Sequence, residues 1–275
     1  MRLQKSNLLV LIIISISSIA KANAQAVTRD SIQADSNSQH CELVYGWAEW
    51  PPLQYFKTNR EIAGIQTEMV RTLAEDLNCN ITFFKSDWSN IVELIKIGEV
   101  DFTANATPTE TRKQFALFSD VYRKDSYGIW VKAESFAQYK NMSIDELKRS
   151  GFKLGMTRSH FYSEALDNWQ HDKEYSKNII YGDSSAISMQ RLIEGQVNGC
   201  VEDPLIVGYK KRIKVITADI ARLPINIFGH DVALMFSKKS VSPETVIKFN
   251  EALARLKKSG KYNSIWLDPK YQSED

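Results

Sequence analysis

The residues able to do chemistry are few and scattered along the chain. Four histidines, His40, His160, His171 and His230, show no metal-ligand spacing, and the three cysteines, Cys41, Cys79 and Cys200, contain no CxxC pair. There is no GxSxG elbow, P-loop or GxGxxG turn. No catalytic residue, metal or cofactor is therefore expected. What remains suits recognition. Arg112 carries a planar guanidinium, which fits a carboxylate better than lysine does. Thr107 and Asn105 stand five and seven residues before it. Glu202 and Asp203 place two adjacent carboxylates before Pro204, and Trp47, Trp50 and Trp88 can offer flat apolar faces that also hold cations.

These groups need elements to position them. From Leu43 to Ala106 the pattern reads strand, helix, strand, helix, strand. Leu43-Val44-Tyr45 is an apolar run, Met69, Val70, Leu73 and Leu77 form one helical stripe, and Ile81 to Phe84 is strand-like. Ile91, Leu94 and Ile95 repeat the helical spacing before a third strand over Val100 to Ala104. Such alternation means a parallel sheet with helices on both faces. A second α/β unit starts near Phe152, with helices over Ser163 to Trp169 and Ala186 to Glu194 and an apolar Cys200-Val201. After the strand Val232 to Phe236, a last helix begins at Ser242-Pro243, an N-cap followed by a proline at the first helical position, and stops at Gly260. Parallel strands of a βαβ unit start at the same sheet edge, so Cys41 and Cys79, each opening a strand, are expected to form a disulfide and Cys200 to be a buried thiol. Three free thiols are the alternative.

The first 24 residues have the order of a secretory signal: Arg2 and Lys5, an apolar stretch from Leu8 to Ala20, then Ala22-Asn23-Ala24. That stretch is short of the roughly 20 residues of a spanning helix, so cleavage after Ala24 and a periplasmic location are expected. Removing it takes the formal charge from +2 to −1. A near-neutral chain with mixed signs argues against nucleic-acid binding. Residues 25–40 are polar and unpatterned, a flexible leader.

With these elements in place, a family resemblance emerges. Gly64-Ile65-Gln66-Thr67-Glu68-Met69-Val70, with Leu73-Ala74 and Leu77, resembles the signature of the extracellular solute-binding proteins of the polar amino acid class, family 3. Trp50-Pro51-Pro52-Leu53, Trp88 to Leu94, Gly98 to Asp101, Thr109 to Arg112, Phe118 to Tyr122, Gly195 to Asn198 and Glu202-Asp203-Pro204 fit the family in order and spacing. The resemblance implies an α/β fold of two Rossmann-like lobes joined by two hinge strands, the type II periplasmic-binding fold. Lobe 1 would comprise residues 41–130 plus 228–275 and lobe 2 residues 131–227, with crossings near Ile129 to Ala133 and Phe228 to Val232.

In similar proteins the position of Arg112 clamps the ligand carboxylate, those of Thr107 and Asn105 add polar contacts, and those of Trp50 and Trp88 form ligand walls. Asp203, or Glu202 beside it, matches the acid that pairs with a ligand ammonium. Trp47 stands where basic-residue binders resemble one another in carrying an aspartate, which argues for an apolar or aromatic ligand. The loop Thr157 to Phe161 sits where relatives cradle the carboxylate with glycine and serine or threonine, and His160-Phe161 departs from that pattern. Arg158 is either a second cation or a solvated loop residue. The implied function is capture of a small amino-acid-like or carboxylate ligand by a monomer whose lobes close on it. The partner would be an inner-membrane permease or a sensor kinase. The alternative on the same fold is a dehydratase of cyclohexadienyl acids, with Glu202 as general acid.

Overall fold

The computed structural model describes residues 41–225, 227 and 229–271; the signal peptide and leader expected over residues 1–40 lie outside them. Lobe 1 begins with β1 (Cys41–Trp47), the short β2 (Tyr55–Phe56) and β3 (Ile62–Ala63), α1 (Ile65–Asp76), β4 (Cys79–Lys85) and α2 (Trp88–Ile97). It continues through β5 (Phe102–Ala106), α3 (Glu110–Lys113), β6 (Ala116–Phe118) and β7 (Arg123–Lys124). The chain then builds lobe 2 from β8 (Gly128–Lys132), α4 (Phe136–Tyr139), α5 (Ile144–Arg149), β9 (Leu154–Thr157), α6 (Glu164–His171) and β10 (Ile179–Gly182). α7 (Ser185–Ile193), β11 (Gly199–Glu202), α8 (Pro204–Arg212) and β12 (Ile220–Arg222) complete it. β13 (Asp231–Ser237), α9 (Pro243–Lys258) and α10 (Lys261–Trp266) return to lobe 1.

The first sheet runs β4-β1-β5-β13-β6, with β7 also on β13; the second runs β10-β9-β11-β8-β12. In each, three strands are parallel and a strand from the crossing region enters antiparallel: β13 beside β5, β8 beside β11. This is the mixed two-sheet architecture that the type II reading implies. The stripe of α1 buries Met69, Val70 and Leu73 on the first sheet, against Phe249 and Leu253 of α9. α9 starts as its sequence dictates: the Ser242 hydroxyl accepts from Thr245 N, Pro243 takes the first turn, and Gly260 at φ 78° ends the run.

The parallel register places Cys41 opposite Cys79, with Cα atoms 4.4 Å apart, and the two form a disulfide; Cys200 is a buried free thiol. Closing a loop with a sequence separation of 38 stabilises the chain by about 4 kcal/mol on the loop-entropy model. Thermal unfolding with and without a reductant should show a midpoint lower by about 8–16 °C after reduction. A midpoint that does not move would show that the bridge contributes nothing.

Ile129-Trp130-Val131, assigned above to the crossing itself, belongs to β8, an inner strand of the second sheet, with Ile129 and Val131 fully buried. The chain passes from the first sheet to the second between β7 and β8, and back between β12 and β13. The two crossing segments hydrogen-bond to each other: Asp125 N donates to His230 O at 2.9 Å, and Tyr127 bridges Ile227. They pass so closely at Gly229 that a Cβ there would lie 1.2 Å from Asp125 O, which explains the glycine.

Candidate functional site

The cleft faces of the two lobes meet at the carboxyl ends of β1, β5, β9 and β11, where open α/β sheets bind ligands. Ile206 of α8 reaches into the lobe 1 core, and side-chain hydrogen bonds cross the cleft. Trp50 Nε1 donates to Glu202 Oε1 at 3.2 Å, and Trp88 Nε1 to Ser159 O at 3.0 Å. Arg112 Nη2 donates to Ser159 O at 2.9 Å, and Arg123 Nη2 to Asp203 Oδ2 at 3.1 Å.

Arg112 owes its place to local sequence. Thr109 caps α3 through its hydroxyl, and the turn points the guanidinium back so that Nη1 donates to Thr107 O at 3.0 Å. The guanidinium lies 5.3 Å over the Trp88 ring. Burial lowers its pKa to about 10, so it remains a cation at neutral pH. Thr107 contributes its carbonyl rather than its hydroxyl to this arrangement. Asn105, at φ 59°, lines the cavity, but its amide is engaged: Oδ1 accepts from Gln66 Nε2 and Arg123 Nε, and Nδ2 donates to Asp125 Oδ2.

Arg123, which the sequence reading passed over, is the hub of the hinge side. It pairs with Asp125 as well as Asp203 and lies 5.3 Å over the Trp266 ring. Burial alone would lower its pKa, but the two carboxylates outweigh that and hold it raised. Asp203, besides this pair, caps α8 by accepting from Leu205 N at 2.8 Å. Burial, against the attraction of Arg123, pushes its pKa up to about 6. Asp203 thus faces an internal cation. Glu202 is the acid nearer the cavity wall: Oε1 accepts from Trp50 Nε1 and from Asp203 N, while Oε2 is buried without a hydrogen-bond partner.

Two expected site residues stand elsewhere. Trp47 does not reach the cavity. Strand alternation puts it on the Leu43–Tyr45 face of β1, 1% exposed, edge-on to Phe56 at 5.0 Å, and it is Ala48 that lines the cavity. Its bearing on ligand class therefore falls away. Trp47→Ala should cost about 3–5 kcal/mol of stability and leave solute affinity unchanged, read by chemical denaturation and calorimetry; a loss of affinity at full folding would return Trp47 to the site. Arg158 is half exposed and does not line the cavity itself, although it pairs with Asp183, which does. Sequence reasoning missed Asp183, Ser184 and Ser185, which line the cavity at the start of α7; the Ser184 N-cap was the available signal.

A family profile described as bacterial extracellular solute-binding proteins, family 3, matches residues 43–267. The chain belongs to that family. This family 3 protein is 23% identical over 222 residues to "Putative ABC transporter arginine-binding protein 2" of Escherichia coli (strain K12), covering 80% of this chain and 86% of the relative. It is 23% identical over 243 residues to "Probable histidine-binding protein" of Neisseria gonorrhoeae, covering 86% of each. Among solved structures, an ancestral arginine-binding protein bound to arginine superposes with a TM-score of 0.70 at 25% identity, over 84% of this chain and 99% of that one.

Proposed function

We propose that this solute-binding protein captures an amino acid or a similar small carboxylate between its lobes and presents it, unreacted, to a membrane transporter. The observation that carries this reading is the setting of Arg112: a buried cation stacked on Trp88, with one edge of its fork aimed at an oxygen acceptor on the opposite lobe. A ligand carboxylate replacing that carbonyl would gain a charge-assisted hydrogen bond. Trp50 and Trp88 would wall the ligand, and Glu202, with a free buried oxygen, would be the acid for an ammonium. The relatives named for arginine and histidine, one of them an ABC transporter component, support an amino acid and a transporter as the two partners. Export would follow from the signal, with cleavage after Ala24.

A thermal-shift screen of the L-amino acids and small carboxylates tests the function. A binder at 100 times its dissociation constant adds about 2.7 kcal/mol, a rise of roughly 5–11 °C. A flat response across the whole panel at millimolar concentration would overturn the reading. N-terminal sequencing of the periplasmic protein should begin at Gln25.

A further inference from the structure

The space between Trp50 and Trp88 in the cleft is filled by the protein itself. The His160 imidazole stands edge-on between Trp88 at 5.2 Å and Trp50 at 5.9 Å, and touches Tyr162 at 5.5 Å. One residue earlier, the Ser159 carbonyl accepts from both Arg112 Nη2 and Trp88 Nε1. With the loop so placed, the centre of a water molecule has about 30 Å³ in which to move, room for about two waters. No amino acid fits there. Ser159 itself is held at φ 61°, a conformation uncommon for a residue with a side chain and one that persists where contacts impose it.

Resting on the solute-capture reading of this cleft, we propose that the Ser159–His160 loop is an internal ligand. Its carbonyl takes the donors meant for a carboxylate and its imidazole takes the slot between Trp50 and Trp88, so a solute enters only by displacing it. The loop also describes what displaces it: a small carboxylate carrying a planar, uncharged group. A cationic group in the slot would lie beside Arg112, and burial together with that guanidinium lowers the His160 pKa to about 3, keeping the ring neutral. The charged or titratable groups around the slot are Arg112 from α3, Glu49 after β1, Asp183 before α7, Glu202 of β11 and Tyr162 of the same loop. The linkage has a definite sign. A histidine whose pKa is depressed in the closed form stabilises that form fully above about pH 6.5, and the contribution is lost as pH falls toward 3. Asp203, raised by burial, works in the opposite direction between about pH 3.8 and 6, so overall stability is the wrong readout.

The test reads His160 directly. In ligand-free protein labelled at histidine Cε1, the His160 resonance, assigned with His160→Gln, should not titrate between pH 8 and 5. Small-angle scattering should show a larger radius of gyration for His160→Gly than for the parent. Addition of L-histidine or phenylacetate as displacing probe should bind His160→Gly at least about tenfold more tightly than the parent, because the competing internal state is removed. A His160 resonance titrating near 6.5 in the parent, a His160→Gly protein as compact as the parent, or equal probe affinities would each overturn it. The first two readouts need no solute, so a failed solute screen leaves them standing and a successful one does not rescue them.

Discussion

Replacing Arg112 with alanine is expected to weaken solute binding by about 100-fold or more. Truncating one partner of a buried, hydrogen-bonded charge pair costs roughly 2–5 kcal/mol, and here the loss falls on a site with little water to compensate. Three contributions disappear together: the hydrogen bond aimed across the cleft, the fork that fixes its direction through Thr107 O, and the stack on Trp88. Arg112→Lys keeps the charge but presents a point cation without the planar fork, and should recover only part of the affinity. The fold should survive, because both carbonyls that lose the guanidinium keep another donor: Ser159 O still accepts from Trp88 Nε1 and Thr107 O from Thr109 N. Calorimetry on both variants, with whichever solute the parent binds, measures the effect. An alanine variant that binds as tightly as the parent would remove Arg112 from the site.

Arg123→Met is expected to destabilise the folded chain by about 3–5 kcal/mol at neutral pH, the cost of leaving buried charges without their partner. Asp125 and Asp203 share this one guanidinium, and Asp203 lies on the opposite lobe, so the loss should loosen the lobes as well as the hinge. The thermal midpoint should drop by about 6–20 °C. The pH dependence carries the mechanism. Asp203 already has a folded pKa of about 6 against an ordinary 3.8. An acid with a raised folded pKa adds stability when protonated, and that contribution is lost as pH rises through the folded value. Removing the Arg123 cation raises that pKa further, so the deficit of the variant should shrink as pH falls from 7 to 5. A deficit independent of pH would mean that Arg123 acts through packing on Trp266 and not through charge.

Much of this architecture is legible along the chain because its signals are local. The stripe of α1, the Ser242-Pro243 start of α9 and the strand openings at Cys41 and Cys79 each depend on residues within a few positions, and the structure repeats them. The apolar run at Ile129 to Val131 could not be distinguished from a crossing strand, because short apolar runs carry no periodicity of their own. Trp47 shows how sharply a strand divides its faces: one position along, Ala48 lines the cavity while Trp47 is sealed in the core. Arg123 reads as one charge among Arg123-Lys124-Asp125, and its partner Asp203 lies 80 residues further on. His160 was visible as a departure from the resemblance, but its place between two tryptophans needs the fold.

The most direct test of solute capture between the lobes is a titration followed in the indole N–H region of the ¹⁵N–¹H spectrum, with Trp50 and Trp88 assigned by their phenylalanine variants. Both indoles donate across the cleft, to Glu202 and Ser159, whereas Trp47 is buried in the lobe 1 core. Capture between the lobes should shift the Trp50 and Trp88 resonances saturably, with one solute per chain, and leave Trp47 in place. A bound solute that moves Trp47 and spares Trp50 and Trp88 would contradict it.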